Sequence, residues 1–344
     1  MKVVFAEAQR RHFPEHFLVN GVFQPNTESP ARIDRLLEGA REAGFLLERP
    51  ADCGIEPIQA VHDARYLAFL EKAYARWRRI DGGSAAVTPN IHPVARDCSY
   101  PDSVVAQAGW HMLDAGAPID AHTYESALAS AASAVHAADL VLSGDAFVYA
   151  LSRPPGHHAR QDAAAGFCYI NNGAVAAVRL QKKFGKIAIL DVDLHHGNGT
   201  QDIFYERNDV LTISIHADPA RFYPFFWGAA AEKGRGPGDG FNLNLPLPRG
   251  SGDAVFLAAL DTALARIDAF GADALVIALG LDAFEGDPFG GLGVTTQGFS
   301  RIGGAIGGAI ARPTVIVQEG GYLCDALGGN LTAFLASYAS ARRK

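Results

Sequence analysis

The sequence predicts an α/β protein in which a mostly parallel sheet is flanked by helices. Short apolar runs alternate with longer amphipathic segments along all 344 residues, which is typical of strand–helix–strand units. The apolar runs are continuous, as in strands that are buried on both faces of a parallel sheet. No internal repeat or linker divides the chain. We therefore predict a single domain over residues 1–344, with a loop insertion at about 80–101.

The individual elements follow from these patterns. Strands are predicted at 2–6, 145–151, 187–193, 210–216, 274–281 and 313–318. The first helix begins at Ser29-Pro30, because serine caps helices well and proline is favoured in the first helical turn, and it ends at Gly44. Further helices are predicted near 63–79, 124–142, 170–184, 252–269, 296–310 and 325–341. Residues 80–101 and 217–240 lack periodicity and are predicted as long loops, which in compact domains are usually functional or flexible.

The composition excludes several classes of protein. Hydrophobic residues make up 49% of the chain and charged residues 19%, which indicates a folded globular protein. A net charge of −7 argues against a nucleic-acid partner and suits a small cationic substrate. The four cysteines are scattered without a C-x-x-C pair, as expected in a reducing compartment. With no signal peptide and no apolar run that would span a bilayer, we expect a cytoplasmic protein without a membrane partner.

Unusual polar residues follow several predicted strands at the point where each strand ends. Ligands of open parallel sheets bind outside the carboxyl ends of the strands, so these residues are expected to meet at one rim. In chain order they are Arg153-Pro-Pro-Gly-His157-His158, then Asp191, Asp193 and His195, then His216, then Asp282 with Glu285 and Asp287, and finally Glu319-Gly-Gly-Tyr322.

The types of residue at this rim indicate a metal site. Asp191, Asp193 and His195 are spaced by two, so in an extended segment they point to the same side. Two aspartates and one histidine leave a coordination position open for water, as in catalytic zinc sites. Asp193, His195 and Asp282 form the best trio. Asp191 either joins them as a ligand or orients a neighbouring histidine.

The remaining rim residues suit acid–base chemistry. One of His157 and His158 is a candidate general base, although a tandem pair could instead supply extra metal ligands. Tyr322 follows two glycines and could donate its hydroxyl to a developing oxyanion. Taken alone, such a tyrosine is more often a packed aromatic with a satisfied hydroxyl.

Together these segments resemble the zinc-dependent histone deacetylase superfamily and, within it, the acetylpolyamine amidohydrolases. The resemblance implies a single-domain arginase-deacetylase fold around a mostly parallel eight-stranded sheet flanked by helices. The matching segments are Glu28-Ser-Pro-Ala-Arg32, His62-Asp-Ala-Arg-Tyr-Leu67, Arg153-Pro-Pro-Gly-His-His158, Gly166-Phe-Cys-Tyr-Ile-Asn-Asn172, Asp191-Val-Asp-Leu-His-His-Gly-Asn-Gly199, Gly280-Leu-Asp-Ala-Phe-Glu-Gly-Asp-Pro288 and Glu319-Gly-Gly-Tyr322.

The resemblance also implies a role for each site residue. One catalytic Zn²⁺, with Fe²⁺ as an alternative, would be held by Asp193, His195 and Asp282. The catalytic group would be His157, His158 and Tyr322, with Asp191 and Asn198 as partners of the histidines. The substrate tunnel would be lined by Gly166, Phe167 and either Phe225 or Phe226, of which we favour Phe225. Structural K⁺ ions would use Asp191, Asp193, His195, Ser214 and Ile215 at one site, and Phe204, Arg207, Val210 and Phe241 at a second.

Asn198 stands where the nuclear-type deacetylases usually carry an aspartate. An amide carries no charge, so His158 should be less basic than His157, whose partner would be Asp191. We therefore predict that His158 is the general base and later the general acid, and that His157 acts electrostatically.

The predicted reaction is the hydrolysis of an N-acetyl amide to acetate and a free amine. The substrate would be an acetylated diamine of the acetylputrescine or acetylcadaverine type, because acetylpolyamine members carry an insertion near 80–101 that narrows the mouth of the site and builds a homodimer. Glu15, Asp102 and Glu125 are candidates to bind the distal ammonium. The alternatives are a lysine deacetylase acting on proteins or peptides, a non-catalytic acetyl binder and an arginase-type binuclear manganese hydrolase.

Overall fold

Eight strands form the central sheet in a computed structural model that describes residues 1–343. Across the sheet the order is β4-β1-β5-β10-β9-β6-β7-β8, and all neighbouring pairs are parallel. The remaining two strands, β2 and β3, form a separate antiparallel hairpin. In chain order the strands are β1 (Lys2–Val4), β2 (His16–Val19), β3 (Val22–Pro25), β4 (Leu46–Glu48), β5 (Phe147–Ala150), β6 (Ile187–Asp191), β7 (Val210–Ala217), β8 (Asn242–Leu247), β9 (Ala274–Leu279) and β10 (Thr314–Gln318).

All seven predicted helices are present, with small shifts at their ends. The Ser29-Pro30 signal places the start of the first helix correctly, at Ala31, and Asp63 caps the third by accepting hydrogen bonds from two backbone N–H groups. The helices are α1 (Ala31–Glu42), α2 (Glu56–Gln59), α3 (Ala64–Trp77), α4 (Val104–His111), α5 (Thr123–Leu142), α6 (Asn172–Leu180), α7 (Asn198–Phe204), α8 (Asp253–Phe270), α9 (Thr296–Ala309) and α10 (Leu327–Ala341).

Helices cover both faces of the sheet, which confirms the predicted fold class. Along β6, Ala188 and Leu190 join the core formed with α1, α8, α9 and α10, whereas Ile187 and Ile189 join the core formed with α3 to α6. The strand is therefore buried on both sides, which explains why its sequence is continuously apolar. Packing on both faces holds β6 in place, and with it the start of the segment that carries Asp193 and His195.

Several short elements were not predicted. The edge strand β8 alternates Asn242 and Asn244 with leucines, and both asparagines are buried in a polar network with Gln201. A pattern search for continuous apolar strands misses such a strand because two of its six side chains are amides. Helix α7 was also missed, since Asn198 and Gly199 read as residues of a turn.

Residues 80–101 contain no helix or extended strand. The segment is attached to its neighbours by an isolated bridge between Val87 and Ile119 and by a hydrogen bond between Tyr100 and His111. Its predicted role at the mouth of the site stays a prediction. Among residues 1–343 no helix combines the length and the hydropathy needed to cross a membrane.

Candidate active site

The carboxyl ends of β6 and β9 bring three predicted metal ligands together. Asp193, His195 and Asp282 each offer a ligand atom within 4.8 Å of the others, and all three are buried. Nδ1 of His195 lies 3.3 Å from Oδ1 of Asp193 and 3.1 Å from Oδ2 of Asp282. The parallel sheet explains this convergence, because β6 and β9 are adjacent and end at the same edge.

Backbone groups confine these carboxylates. The N–H of Gly320 donates a hydrogen bond to Oδ2 of Asp193 (2.8 Å), and the N–H of Leu194 donates one to Oδ1 of Asp282 (3.0 Å). A Cβ at Gly280 or Gly320 would collide with the same carboxylates. Two buried carboxylates beside one imidazole carry an excess of negative charge, which is costly unless a cation compensates it. The donor set therefore fits a divalent metal of the zinc type.

The pKa values of the trio also indicate a site for a cation. Burial lowers the pKa of His195, but its bonds to Asp193 and Asp282 outweigh burial and raise the pKa to about 9. Burial and the charge of Asp193 raise the pKa of Asp282. Both shifts reflect the negative potential of two buried carboxylates, which favours a bound cation.

A second group of potential ligands, His157, Cys168 and Glu319, fits a metal less well. Its ligand atoms also lie within 4.8 Å of one another. Burial, followed by the charge of Glu319, raises the pKa of the Cys168 thiol well above its usual range, so the sulfur stays protonated. Nδ1 of His157 is occupied by Asp191. Since the thiolate is the form that binds metals, we assign this cluster a structural role.

The two predicted catalytic histidines lie beside the trio, with their ring centroids 4.0 Å apart and their planes tilted by 45°. Nδ1 of His157 lies 2.9 Å from Oδ2 of Asp191, and Nδ1 of His158 lies 2.6 Å from Oδ1 of Asn198. Both pairings match the sequence-based expectation. Asn198 reaches His158 because it opens helix α7 directly after the turn that follows His195.

His157 and His158 differ in pKa because their surroundings differ, including their partners Asp191 and Asn198. Burial lowers the pKa of His157, but the charges of Asp193 and Asp191 outweigh burial and raise it well above the usual value. For His158, burial and the neighbouring cationic rings of His157 and His195 lower the pKa well below the usual value. At neutral pH, His157 therefore carries a proton, while His158 is neutral and has Nε2 available to accept one.

Tyr322 is held against this group by several contacts. Its backbone N–H donates to Oδ2 of Asp287 (2.9 Å), and it follows Gly321, whose φ of +108° favours glycine. The guanidinium of Arg32 lies 4.9 Å above the tyrosine ring and donates hydrogen bonds to the carbonyl oxygens of Gly321 (2.6 Å) and Glu319 (2.7 Å). Burial raises the pKa of the Tyr322 hydroxyl well above its usual value, so it remains a hydrogen-bond donor.

A cavity of about 460 Å³ leads to these groups, with His158, His195, Asn198 and Tyr322 in its lining. Nine residues of its lining are Phe, Tyr or Trp. Phe167, which adopts a φ of +66° after Gly166, packs against Phe17 and Tyr322. Such a φ is uncommon for a bulky residue and here turns the ring into the cavity. The other aromatic residues of the wall are Phe222, Tyr223, Phe225, Phe226, Trp227 and Phe289.

Tyr223 and Phe225 both line the cavity, at different distances from the catalytic histidines. Tyr223 contacts the catalytic end, with its ring 4.9 Å from that of His158 and 6.0 Å from that of His195. Phe225 lines the same cavity, but its side chain lies toward the opening and is 55% exposed. Phe225 thus lines the cavity as predicted, and Tyr223, which was not predicted, lines it closer to the two histidines. The dense aromatic run around them offered no periodicity from which the register could be read.

The residues predicted to bind potassium lie on β6, β7 and the segments next to them, and two of them, Asp193 and His195, also belong to the metal trio. Asp191 pairs with Ser214 across β6 and β7, and both line a small cavity of about 10 Å³. Asp193, His195 and Ile215 are close along the chain to this pair. Phe204 ends α7, Arg207 lies in the turn that follows, Val210 begins β7 and Phe241 precedes β8. Their predicted role as ligands stays a prediction.

Some contributors to the site were not identified as such from the sequence. Arg32 and Asp287 stood in recognised segments, but their contacts with the Tyr322 loop depend on tertiary structure. Asp114 and Tyr223 come from stretches without regular periodicity, so no local pattern pointed to them. Glu15, Asp102 and Glu125 are not among the residues that line the cavity.

Comparison with known proteins places this geometry in a family. The histone deacetylase domain matches residues 26–338. The chain is 45% identical to an acetylpolyamine amidohydrolase of Burkholderia pseudomallei (strain 1710b), with 99% of this chain and 100% of that protein covered. It is 43% identical to an acetylpolyamine amidohydrolase of Mycoplana ramosa, with 98% and 100% covered.

Solved structures agree with the sequence matches. The crystal structure of an acetylpolyamine aminohydrolase from Burkholderia pseudomallei superposes with a TM-score of 0.96 at 44% identity and covers 99% of both chains. The crystal structure of the HDA15 HD domain superposes with a TM-score of 0.78 at 29% identity, with 98% of this chain and 91% of that chain covered.

Proposed function

Because the chain belongs to the histone deacetylase family, we propose that it hydrolyses acetylated polyamines to acetate and the free amine. It is a hydrolase of acetyl amides, and its family is metal-dependent. The observation that carries the proposal is the meeting of the metal trio, the histidine pair and Tyr322 at one end of an aromatic cavity. Apolar walls of this kind suit the methylene chain of a slim amine.

The residues of the chain divide the work of hydrolysis. A zinc ion, when bound by the trio, would supply Lewis acidity toward the acetyl carbonyl. His158 is oriented by Asn198 and has a lowered pKa, so its neutral Nε2 would accept the proton of the attacking water and return it to the leaving amine. Tyr322 donates its hydroxyl to the developing oxyanion. Phe167 packs against Tyr322 and Tyr223 packs against His158, so both rings border the end of the cavity where the acetyl group would lie.

An acetate-release assay tests the proposal directly. N-acetyl-1,4-diaminobutane, N-acetyl-1,5-diaminopentane and an acetyllysine peptide are compared at matched concentrations, and the metal content is measured on the same sample. We expect the acetylated diamines to be hydrolysed faster than the peptide. Acetate release from the peptide alone would favour the lysine deacetylase, which has weaker support because the similarity to histone deacetylase 15 of Arabidopsis thaliana covers 54% of this chain.

Tyr322→Phe tests the oxyanion donor. Losing one such donor typically costs ~10²–10³ in kcat. Because the substitution removes only the hydroxyl and leaves the stack with Arg32, we expect a loss of that order with unchanged metal content and unchanged thermal stability. A variant that is fully active with its metal bound would remove Tyr322 from the mechanism.

Asn198→Asp tests the asymmetry between the histidines through the pH profile. His158 acts as a base only when neutral, so the acidic limb of kcat/KM follows its pKa. A carboxylate at position 198 would stabilise the imidazolium and raise this pKa, which is lowered in the wild type. We expect the acidic limb to move to higher pH, by ~1 unit or more. An unchanged limb would contradict the assignment of His158 as the base.

Four finer properties belong to the same proposal. We infer Zn²⁺ as the catalytic metal, with Fe²⁺ as the alternative, and structural K⁺ at the two predicted sets of ligands, the first of which includes the Asp191 and Ser214 cavity. A homodimer and a cytoplasmic location are expected from the resemblance and the composition. Metal analysis, potassium-dependent thermal stability and light scattering test the metals and the dimer.

A further inference from the structure

Asp114 is the one carboxylate among the described residues that line the main cavity. It lies in the segment between α4 and α5, next to Gly166 and Phe167 on the cavity wall. The other charged side chain of the lining, Arg221, is exposed to solvent. An ammonium group that enters this aromatic cavity therefore meets Asp114 as its natural counter-charge.

Three donors hold the Asp114 carboxylate in place. The hydroxyl of Tyr223 donates to Oδ2 (2.6 Å), and the N–H groups of Gly116 (2.8 Å) and Gly166 (3.3 Å) donate to Oδ1. A carboxylate offers about four acceptor positions. Oδ2, which accepts only from Tyr223 within the protein, can therefore accept a further hydrogen bond from a ligand.

Tyr223 connects this carboxylate to the catalytic end. Its ring packs edge-on against His158, while its hydroxyl binds Asp114. A Cβ at Gly166 would lie 2.6 Å from Cδ2 of His158 and 2.7 Å from the Tyr223 hydroxyl oxygen, so only glycine permits this close packing. The Tyr223–Asp114 pair thus places a carboxyl group one phenol ring away from the general base.

We propose that Asp114 is a specificity-determining residue that binds the free ammonium of an acetylated diamine, and that Tyr223 is the positioning residue that holds it. This inference deepens the proposed function and rests on it for the nature of the substrate. The acidic residues considered from the sequence are less suitable. None of them lines the cavity, and Glu125 is paired with Arg11 on the surface.

The test compares a cationic and a neutral substrate of similar length, N-acetyl-1,4-diaminobutane and N-butylacetamide. Asp114→Asn keeps the shape of the side chain and an oxygen for the N–H groups of Gly116 and Gly166, while its amide nitrogen can donate to the Tyr223 hydroxyl. The substitution therefore removes the charge and little else. We expect the preference for the cationic substrate in kcat/KM to fall about 10- to 100-fold, mainly through KM, while the neutral substrate is unaffected. Tyr223→Phe should lower the same preference by about fivefold, because Asp114 loses one donor.

Two controls of equal charge change accompany these variants. Asp261→Asn alters an exposed residue of α8, and Asp102→Asn alters an exposed residue near α4. Neither should change the cationic preference. Loss of the preference in Asp102→Asn, its retention in Asp114→Asn, or an equal loss for both substrates in Asp114→Asn would overturn the inference.

Binding separates this inference from the proposed function. Dissociation constants of the same two amides are measured by calorimetry in the Tyr322→Phe background, where turnover is slow, with and without Asp114→Asn. We expect the ratio of the two constants to change as the ratio of kcat/KM does. If wild-type protein releases no acetate from either amide, the proposed function fails, whereas Asp114 is still judged by the binding ratio. If Asp114→Asn leaves the ratio of the two dissociation constants unchanged, the role of Asp114 in binding the ammonium is rejected.

Discussion

Replacing Asp282 by asparagine is expected to abolish stoichiometric metal binding and to lower kcat/KM by at least about 10³-fold. Metal assistance supplies several kcal/mol of transition-state stabilisation, and each 1.36 kcal/mol corresponds to a factor of ten. Asp282 is fully buried, and its Oδ2 lies 3.1 Å from Nδ1 of His195, so no other acidic residue can take its place without moving the backbone. Metal content and acetate release measured on one sample check this result.

Thermal unfolding distinguishes loss of the metal from loss of the fold. Asp193 and Asp282 repel each other across the trio, and burial together with this repulsion raises the pKa of Asp282. Removing one of the two charges relieves the repulsion, so the metal-free variant should be at least as stable as metal-free wild type. Zinc should raise the Tm of wild type and of Asp261→Asn, but leave that of Asp282→Asn unchanged. An Asp282→Asn protein with one tightly bound zinc and normal turnover would disprove the assignment of the trio.

The parts of the site that the sequence predicts are those fixed by regular structure. Asp193 and Asp282 follow apolar strands that end at the same edge of a parallel sheet, so their proximity follows from the sheet alone. The partnership of His158 with Asn198 follows from the resemblance, and the start of α7 explains it physically. The same holds for the core, where continuous apolar strands are buried on both faces.

The parts that the sequence does not predict depend on contacts between loops. Tyr223 and Asp114 are 109 residues apart, and neither lies in a periodic segment. Within the aromatic run, the choice between Tyr223 and Phe225 depends on backbone geometry, including the φ of +62° at Phe225, rather than on residue type. Strand β8 was not predicted for a related reason. Its buried asparagines are stabilised by hydrogen bonds to Gln201 and not by an apolar core. Tertiary hydrogen bonds, unlike periodicity, leave no local pattern.

His158→Ala is expected to lower kcat by about 10²–10⁴-fold, the range that general acid–base catalysis contributes. His158 lines the cavity, is neutral at working pH, and is oriented by Asn198, so it is the ring that can exchange a proton with water and the leaving amine. Removing it should also abolish the acidic limb of the pH profile and leave metal content unchanged. Added imidazole should restore part of the activity, because the cavity left by the side chain faces the solvent-accessible tunnel.

His157→Ala provides the matched comparison, because it removes an equal ring 4.0 Å away. Its pKa is raised by Asp193 and Asp191 after they overcome burial, so His157 holds its proton throughout the reaction and acts by its charge. We expect a loss of kcat at least about tenfold smaller than that of His158→Ala, with the acidic limb retained and no rescue by imidazole. Inactivity of His157→Ala beside nearly full activity of His158→Ala would exchange the two roles. Since both rings contact the same buried carboxylate system, the decisive evidence is this order of effects together with the pH profile.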